Sequence, residues 1–541
     1  MHRIILLVVV CCISVGNVFS QCAESPKPKV LLVGDSWAWY MNVDQTINKV
    51  FKTWGHSGYT YVTSSVIAEN GADTYDYLKA NKKAEIQRLI NANPSIELVH
   101  LSIGGNDFLG DWKVSFTQGR TDSLEDEVYV RLDSIMQFIK SCKPGMRILW
   151  SGYTYPNFEE PITSPGFLSG PSHPFYDTWS GMEFPTFLQI NTILNNVSAR
   201  MEVYAANDPQ VDLVSATGIL QYTTGQTTPI CCNIAPQATY APYTVPVPGG
   251  DPNYPSPIST MRDYFSVAKD CFHLSPGGYT DLISYHTQKF YHKFLMDDLY
   301  VLAENNTQTG TVTSQGNVSD TLFLGEEGGE QFATVLSFNT TGMADTTLVK
   351  ASIFLRRASL SGTNPINGSL EVKVKNGNFG TTVDVEAADF SATGDASATP
   401  CLFGSNIANG DWIRLDLPAQ ILPYIDNAAA TQFVISAPGN FTGGKVNFYN
   451  STDPDFAPVL NLDYITPVSG LDEVSANHFS VYPNPTNDRL TIENNGETIL
   501  HVEVLDLLGK VVLKPQVSAN TIDVSSIPSG MYILNVATKS G

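Results

Sequence analysis

Three short clusters in this sequence carry residue types that together could run nucleophilic chemistry. In the first, the apolar run Val30-Leu31-Leu32-Val33 leads straight into Gly34-Asp35-Ser36, which sets a hydroxyl on the turn after a strand. At the carboxyl edge of a parallel sheet, such a turn is where open α/β proteins bind ligands. Gly34 permits a sharp turn, and a helix after it would aim backbone N–H groups at a developing anion. Taken alone, Gly-Asp-Ser is also an ordinary turn sequence. In the second cluster, Asp270-Cys271-Phe272-His273-Leu274-Ser275 places a carboxylate three residues before an imidazole. A turn there lets Asp270 accept from Nδ1–H of His273, leaving Nε2 to take the proton of Ser36, a poor nucleophile without that help. In the third, Ser102-Ile103-Gly104-Gly105-Asn106-Asp107 ends another apolar run and offers a side-chain amide, while Asn70-Gly71-Ala72 closes a further turn. The backbone N–H groups of Ser36 and Gly71 and the Asn106 amide would make a three-donor hole for the oxyanion of acyl transfer.

These residues need a frame that brings distant segments to one edge. From Lys29 to about Ala303, short apolar strands alternate with helical stretches, the pattern of an α/β domain with a largely parallel sheet. Val30 to Val33, Leu98 to Ile103, Arg147 to Gly152 and Val211 to Val214 are the expected strands. Asp73 to Ala92, Ser123 to Ser141 and Phe187 to Ala206 carry apolar residues at helical spacing. Tyr155 to Pro185 and Gly218 to Lys269, rich in Pro, Tyr, Thr and Gly, interrupt this rhythm as long loops of the kind that wall a substrate site. Between about Thr309 and Thr466 the pattern changes to short alternating segments separated by Gly, Asn, Asp and Pro, which predicts an antiparallel sandwich or jelly roll. Its strands are expected at Leu348 to Leu355, Leu370 to Val374, Trp412 to Leu417, Gln432 to Ile435 and Val459 to Tyr464.

Gly-Asp-Ser at the first strand, a glycine turn, Gly-x-Asn-Asp and Asp-x-x-His-Leu-Ser, in that order, resemble the blocks of the GDSL/SGNH hydrolase superfamily. The resemblance implies a three-layer, flavodoxin-like α/β domain over residues 25–303. It implies Ser36 as nucleophile, His273 as base, Asp270 as its orienting acid, and Ser36, Gly71 and Asn106 as oxyanion donors. Gly55 and Gly58 compete with Gly71 for that role, and Trp37 stands where the family often has a small or aliphatic residue. A Gly-x-Ser-x-Gly elbow, the rival serine-hydrolase design, is not found in the sequence. Asp453-Pro454-Asp455-Phe456-Ala457-Pro458-Val459 resembles the last turn and strand of jelly-roll modules attached to secreted glycan-active proteins, implying such a module over residues 309–466. Val481-Tyr482-Pro483-Asn484-Pro485-Thr486, Leu490-Thr491-Ile492, Val504-Leu505-Asp506, Gly509-Lys510 and Gly530-Met531-Tyr532 resemble the C-terminal sorting domain of the Bacteroidetes type IX secretion system. That implies a small β-sandwich over residues 477–541 and export through that machinery. Where such domains continue with one more basic strand, this sequence stops at Lys539-Ser540-Gly541.

Bulk properties agree with an exported, folded, multidomain chain. The 541 residues exceed what one core needs, and 16% charged against 43% hydrophobic residues argues against disorder. With 53 acidic and 31 basic residues the net charge is -22, which repels nucleic acid and anionic lipid surfaces. Residues 1–20 read as a signal peptide, too short to span a bilayer, and no later run is long enough. A lipid anchor at Cys22 is a minor alternative. Export permits disulfides, and Cys271 joined to Cys231 or Cys232 would brace the histidine loop. No cofactor is implied, and His56, His100, His173, His286, His292, His478 and His501 show no metal-ligand spacing. Trp37, Trp39 and Trp112 sit near the motifs and offer either core packing or a sugar-stacking platform. The expected activity is ester hydrolysis through an acyl-enzyme, outside the cell or on its surface, with an acetylated or short-acyl polysaccharide favoured by domain context. Lipase or arylesterase activity and a non-catalytic glycan-binding protein are the alternatives.

Overall fold

A computed structural model describes residues 24–538 apart from 165–167, 225–246, 266, 298, 344–346, 368, 405–407, 428–429, 466–479, 494–498, 507–509 and 516–519. The expected signal segment, Cys22, Cys231, Cys232 and His478 lie outside the described residues. The first part of the chain forms β1 (Lys27–Gly34), α1 (Ser36–Val43), α2 (Thr46–Thr53), β2 (Tyr59–Val62), α3 (Thr74–Leu78), α4 (Ala80–Ala92), β3 (Leu98–Ser102), α5 (Gly105–Asp111) and α6 (Gln118–Ser141). It continues with β4 (Arg147–Ser151), α7 (Glu159–Thr163), α8 (Tyr176–Gly181), α9 (Phe187–Asn207), β5 (Val211–Val214), α10 (Ile219–Thr223), β6 (Met261–Tyr264), β7 (Ala268–Leu274) and α11 (Pro276–His286).

β1 to β5 make a parallel sheet in the order β2-β1-β3-β4-β5. This is the doubly wound, flavodoxin-like order, whose strand sequence reverses beside β1 and opens a crevice at the carboxyl ends of β1 and β3. β1 is buried on both faces, as a continuous apolar strand in such a sheet must be. Leu31 and Val33 pack into the core under α6 and α9, while Val30 and Leu32 pack into the opposite core with α1, α2 and α11. α9 begins with a capping box between Thr186 and Gln189, and Thr117 caps α6.

The single helix expected over Asp73 to Ala92 is two. Asp73 and Asp76 form a capping box for α3, and Lys79 takes an extended backbone that ends α3 and starts α4. No Gly or Pro marks that break, so periodicity alone runs through it. The Tyr155 to Pro185 stretch contains α7 and α8, and the end of the Gly218 to Lys269 stretch is the β6–β7 hairpin.

From Leu299 to Ile465 the chain builds an antiparallel β unit, and each of the five segments expected there overlaps a strand. The long strand Thr347–Gly362 pairs with Trp412–Asp416 along its first half and with Gly444–Phe448 along its second, the register shifting between Arg357 and Ser359. Residues of both strand groups, among them Ile353, Leu415, Phe433 and Val446, meet in one core. Leu299–Leu302 pairs with Val459–Ile465, so this sheet takes its first strand directly after the last helices of the α/β part.

The α/β and β parts form one compact unit through Tyr464. Trp54 stacks on Trp412 with ring centroids 5.5 Å apart, and His56 Nε2 lies 2.9 Å from His292 Nδ1 beside Phe354. Arg414 reaches across, donating to the Gly55 carbonyl at 3.0 Å and to Glu24 at 2.5 Å while holding Asp416 at 2.7 Å. The second unit, from Ile465, carries two small antiparallel sheets with Ile492, Val502, Val504, Ile522 and Val524 in its core. Arg414→Ala removes a buried cation and takes one donor from each of Glu24, Asp416 and the Gly55 carbonyl, while Ser57 and Ser352 still donate to the two carboxylates. We expect it to lower the stability of the first unit by about 3 kcal/mol, read from urea unfolding of the full chain by tryptophan fluorescence, since all seven tryptophans lie in that unit. A loss under about 1 kcal/mol would mean that the ion pairs behave as exposed ones.

Candidate active site

β1 delivers Ser36 to the carboxyl edge of the sheet, and the approach is tight. A Cβ on Gly34 would lie 2.0 Å from the carbonyl oxygen of Ser102 on β3, so no other residue fits there. Asp35 caps α1 by accepting from Trp37 N–H at 2.9 Å, and its own N–H donates to Ser102 O at 2.9 Å. Ser36 is thereby the first residue of α1, whose N–H has no carbonyl one turn before it.

β7 brings the expected acid and base, Asp270 and His273. Asp270 Oδ1 accepts from the N–H groups of Phe272 and His273 at 3.0 and 2.9 Å, a turn that folds the carboxylate back along its own strand. Its other oxygen lies 2.8 Å from His273 Nδ1, and His273 Nε2 lies 2.8 Å from Ser36 Oγ. An ionised carboxylate can only accept, so Nδ1 carries the hydrogen and Nε2 of the neutral ring is left to accept from the serine hydroxyl. Ser36, Asp270 and His273 are all buried. Ser275 caps α11 immediately after β7, accepting from Gly278 N–H at 3.1 Å, and Arg262 of β6 donates to the Leu274 carbonyl and pairs with Asp44 at the end of α1. Tyr40 flanks the imidazole with ring centroids 4.8 Å apart.

The loops that carry the expected oxyanion donors are tied together by hydrogen bonds. Gly34 N–H donates to Ile67 O at 2.8 Å and Glu69 N–H to Gly34 O at 3.0 Å, tying the turn before Gly71 to the end of β1. Gly71 is exposed at φ 80°, a backbone state that favours glycine. Asn106, at the start of α5, donates one amide hydrogen to Ala72 O at 2.8 Å, which ties the Gly71 turn to α5 and leaves its second amide hydrogen for another acceptor. Asn106 and Ser36 line one cavity, whose wall does not include Gly71. Gly55 and Gly58 lie ahead of β2, packed against Phe354 and Glu24 at the far edge of the sheet from Ser36.

Two networks behind these residues were not legible from motif spacing. Asp107, next to Asn106, accepts from Thr74 Oγ1 at 2.6 Å and Thr74 N–H at 3.1 Å, and Arg131 of α6 donates to both Asp107 and Thr74. This buried set binds the starts of α3 and α5 to one another. Burial raises the Asp107 carboxyl, opposed by the donors from Thr74 and Arg131. Tyr153, after β4, donates to Asp35 Oδ2 at 2.5 Å and accepts from Gly105 N–H at 3.0 Å, bridging the serine and asparagine loops. The motif residue Asp107 was visible in the sequence, whereas Arg131 and Tyr153 carry no local signal.

Trp37 and Trp112 are buried, the first against Tyr153 and Tyr279, and only Trp39 is part-exposed, so the three do not form a sugar-stacking platform. Cys271 is a buried free thiol rather than a disulfide brace, Cys142 is also free, and Cys401 is disulfide-bonded. Among the described residues no group of three His, Cys, Asp or Glu side chains is placed to hold a metal ion, and no helix is long and apolar enough to cross a membrane.

Burial pushes the Asp35 carboxyl from its ordinary 3.8 up to about 6, against the downward pull of Tyr153 and Trp37 N–H. Between those values the folded chain keeps a proton that the unfolded chain has lost. The stabilisation from that proton is therefore complete below pH 4 and lost as pH rises to about 6. Asp35→Asn keeps an acceptor for Trp37 and does not titrate. Relative to wild type, the variant is expected to gain about 3 kcal/mol between pH 4 and 7 in denaturant unfolding. A difference that stays constant with pH would contradict the burial argument.

Comparison with known proteins gives three findings. No curated protein matches the chain. Among solved structures it is similar over part of its length to a carbohydrate esterase family 3 protein from Talaromyces cellulolyticus, at 12% identity over 50% of this chain and 98% of that one with a TM-score of 0.27. A GDSL-like lipase from Bacteroides thetaiotaomicron matches at 14% identity over 49% and 88% with a TM-score of 0.26. An extracellular lipase from Streptomyces rimosus matches at 15% identity over 48% and 97%, also with a TM-score of 0.26. Residues 480–541 match the family model described as the secretion system C-terminal sorting domain, which indicates export by the type IX route to the medium or the outer surface.

Proposed function

We propose that the chain is an exported serine ester hydrolase in which Ser36 is the nucleophile, His273 the general base and Asp270 its orienting acid. The observation that carries this reading is the relay from Asp270 Oδ2 through His273 to Ser36 Oγ, both links 2.8 Å long, at the carboxyl edge of a doubly wound sheet. Ser36 Oγ attacks the ester carbonyl carbon as its proton passes to His273 Nε2. The negative charge gathers on the former carbonyl oxygen, where the N–H groups of Ser36 and Gly71 and the Asn106 amide are the donors we assign. As the intermediate collapses, the Nε2 proton goes to the leaving alcohol oxygen and an acyl-Ser36 ester remains. Water then gives a proton to Nε2, attacks the acyl carbon, and releases the carboxylic acid while the proton returns to Ser36. The imidazolium formed twice in this cycle faces the Asp270 carboxylate, which stabilises it without accepting its proton.

On the alcohol side, export and an attached β unit, which we read as a jelly roll, support a polysaccharide ester. On the acyl side, the apolar wall beside Ser36 supports the lipase-like alternative over simple deacetylation. Hydrolysis of p-nitrophenyl acetate and of acetylated xylan by the full chain tests the class. Ser36→Ala is expected to abolish turnover, and Asn106→Ala to lower kcat by about 10²–10³-fold. Turnover that survives Ser36→Ala would sink the serine mechanism. The absence of turnover on any ester would move the assignment to a non-catalytic glycan-binding protein.

A further inference from the structure

A cavity of about 90 Å³ opens beside Ser36 and runs into the core between α6 and α9. Val128 and Leu132 of α6, Ile193, Val197 and Met201 of α9, and Trp150 at the end of β4 supply its apolar wall. Protein cores ordinarily leave few voids larger than a water molecule. An apolar void of this size at a nucleophile is therefore a place for a ligand group rather than slack.

The proposed reaction decides which part of an ester goes there. Around the tetrahedral carbon on Ser36 Oγ, the oxyanion turns towards Asn106 and the leaving oxygen must face His273 Nε2, which gives it a proton. His273 and Asp270 are not part of the cavity wall, whereas Ser36, Asn106 and Trp37 are. The third substituent, the acyl chain, is left to enter the cavity. A cavity of about 90 Å³ is several times what one water needs, so it has room for a chain of several carbons. An acetyl group would leave most of it empty. From Phe272, which lines the cavity, rings continue the apolar path: Phe175 against Phe272 and Tyr264, and the exposed Phe265 against Tyr264.

We infer that the cavity between α6 and α9 is the acyl site and that the chain cleaves esters of medium-length acyl groups in preference to acetyl esters. This rests on the serine ester hydrolase reading and names its acyl substrate. The test is kcat/KM of the full chain on p-nitrophenyl esters from acetate to dodecanoate, for wild type, Ser36→Ala and two cavity-filling variants, Val197→Phe and Ile193→Phe. Wild type is expected to gain at least tenfold from acetate to hexanoate or octanoate and to fall again by dodecanoate, since each buried methylene favours binding about fourfold. Each filled variant that keeps a wild-type melting profile is expected to move its optimum to two to four carbons. An acetate optimum in wild type overturns the acyl-site inference while leaving the serine mechanism standing, and so does a folded variant with an unaltered profile. The wild-type series decides even where both variants fail to fold. If wild type cleaves no ester at any length beyond the Ser36→Ala background, the hydrolase reading falls, and this inference with it.

Discussion

The contact on which the site depends is the hydrogen bond between Ser36 and His273, 237 residues apart in the chain. A single such bond contributes about 1 kcal/mol, far too little to hold two distant segments against the entropy of joining them. The segments are held by everything else. β1 is locked between β2 and β3 with apolar residues on both faces, and Asp35 N–H is bonded to β3. On the other side, Tyr279, Leu282 and Ile283 of α11 enter the same core as Trp37 and Met41 of α1. The Asp44 and Arg262 pair, with Arg262 also on the Leu274 carbonyl, then sets the angle at which His273 meets the serine.

Three carboxylates are buried around this contact, and each would be costly without donors. Asp270 takes two backbone N–H groups and the imidazole, Asp107 takes Thr74 and Arg131, and Asp35 takes Trp37 N–H and the Tyr153 hydroxyl. Asp270 is satisfied within its own turn, whereas Asp107 and Asp35 draw donors from other segments, so satisfying those two charges also fixes the segments. Arg131 joins the start of α3 to α5, and Tyr153 joins the serine loop to Gly105. Rigidity of the oxyanion side thus follows from electrostatic necessity. An unpaired Asp107 or Asp35 in this interior would cost more than the order its partners impose.

How much of this was legible in the sequence follows from the range of the interactions. β1, β3 and β4 were readable because a parallel strand buried on both faces is a largely continuous apolar run. β2 was not, since Tyr59-Thr60-Tyr61-Val62 is short and only partly buried at the sheet edge. The turn of Asp270 onto His273 is local and could be anticipated from three-residue spacing. Its meeting with Ser36 is long-range, and only the order of the motif blocks hinted at it. Arg131 sits on α6 like any polar residue of an amphipathic helix, and Tyr153 lies in a loop, so neither differs locally from a residue without a role. The same holds for the cavity, which exists only where two helices meet. The tryptophans near the motifs misled for the converse reason: proximity in sequence to a catalytic turn says nothing of which way a side chain points, and Trp37 points inward.

The placement of the β unit bears on how substrate is recognised. It packs on the α/β part through Glu24, Trp54, Gly55, His56 and His292, around the starts of β1 and β2 and the segment after α11. Ser36, Asn106 and His273 stand at the opposite, carboxyl ends of the strands. Neither the relay nor the cavity wall includes any residue beyond His273. Among the described residues, the relay and the cavity are therefore built by the α/β part alone, from its own loops and the helices α6 and α9. The stacked Trp54 and Trp412, with Arg414 buried across the join, also make the β unit a continuation of the α/β core and not a module on a tether. Its contribution to the site is structural: it covers the amino edge of the sheet, where Trp54, His56 and His292 would otherwise face water.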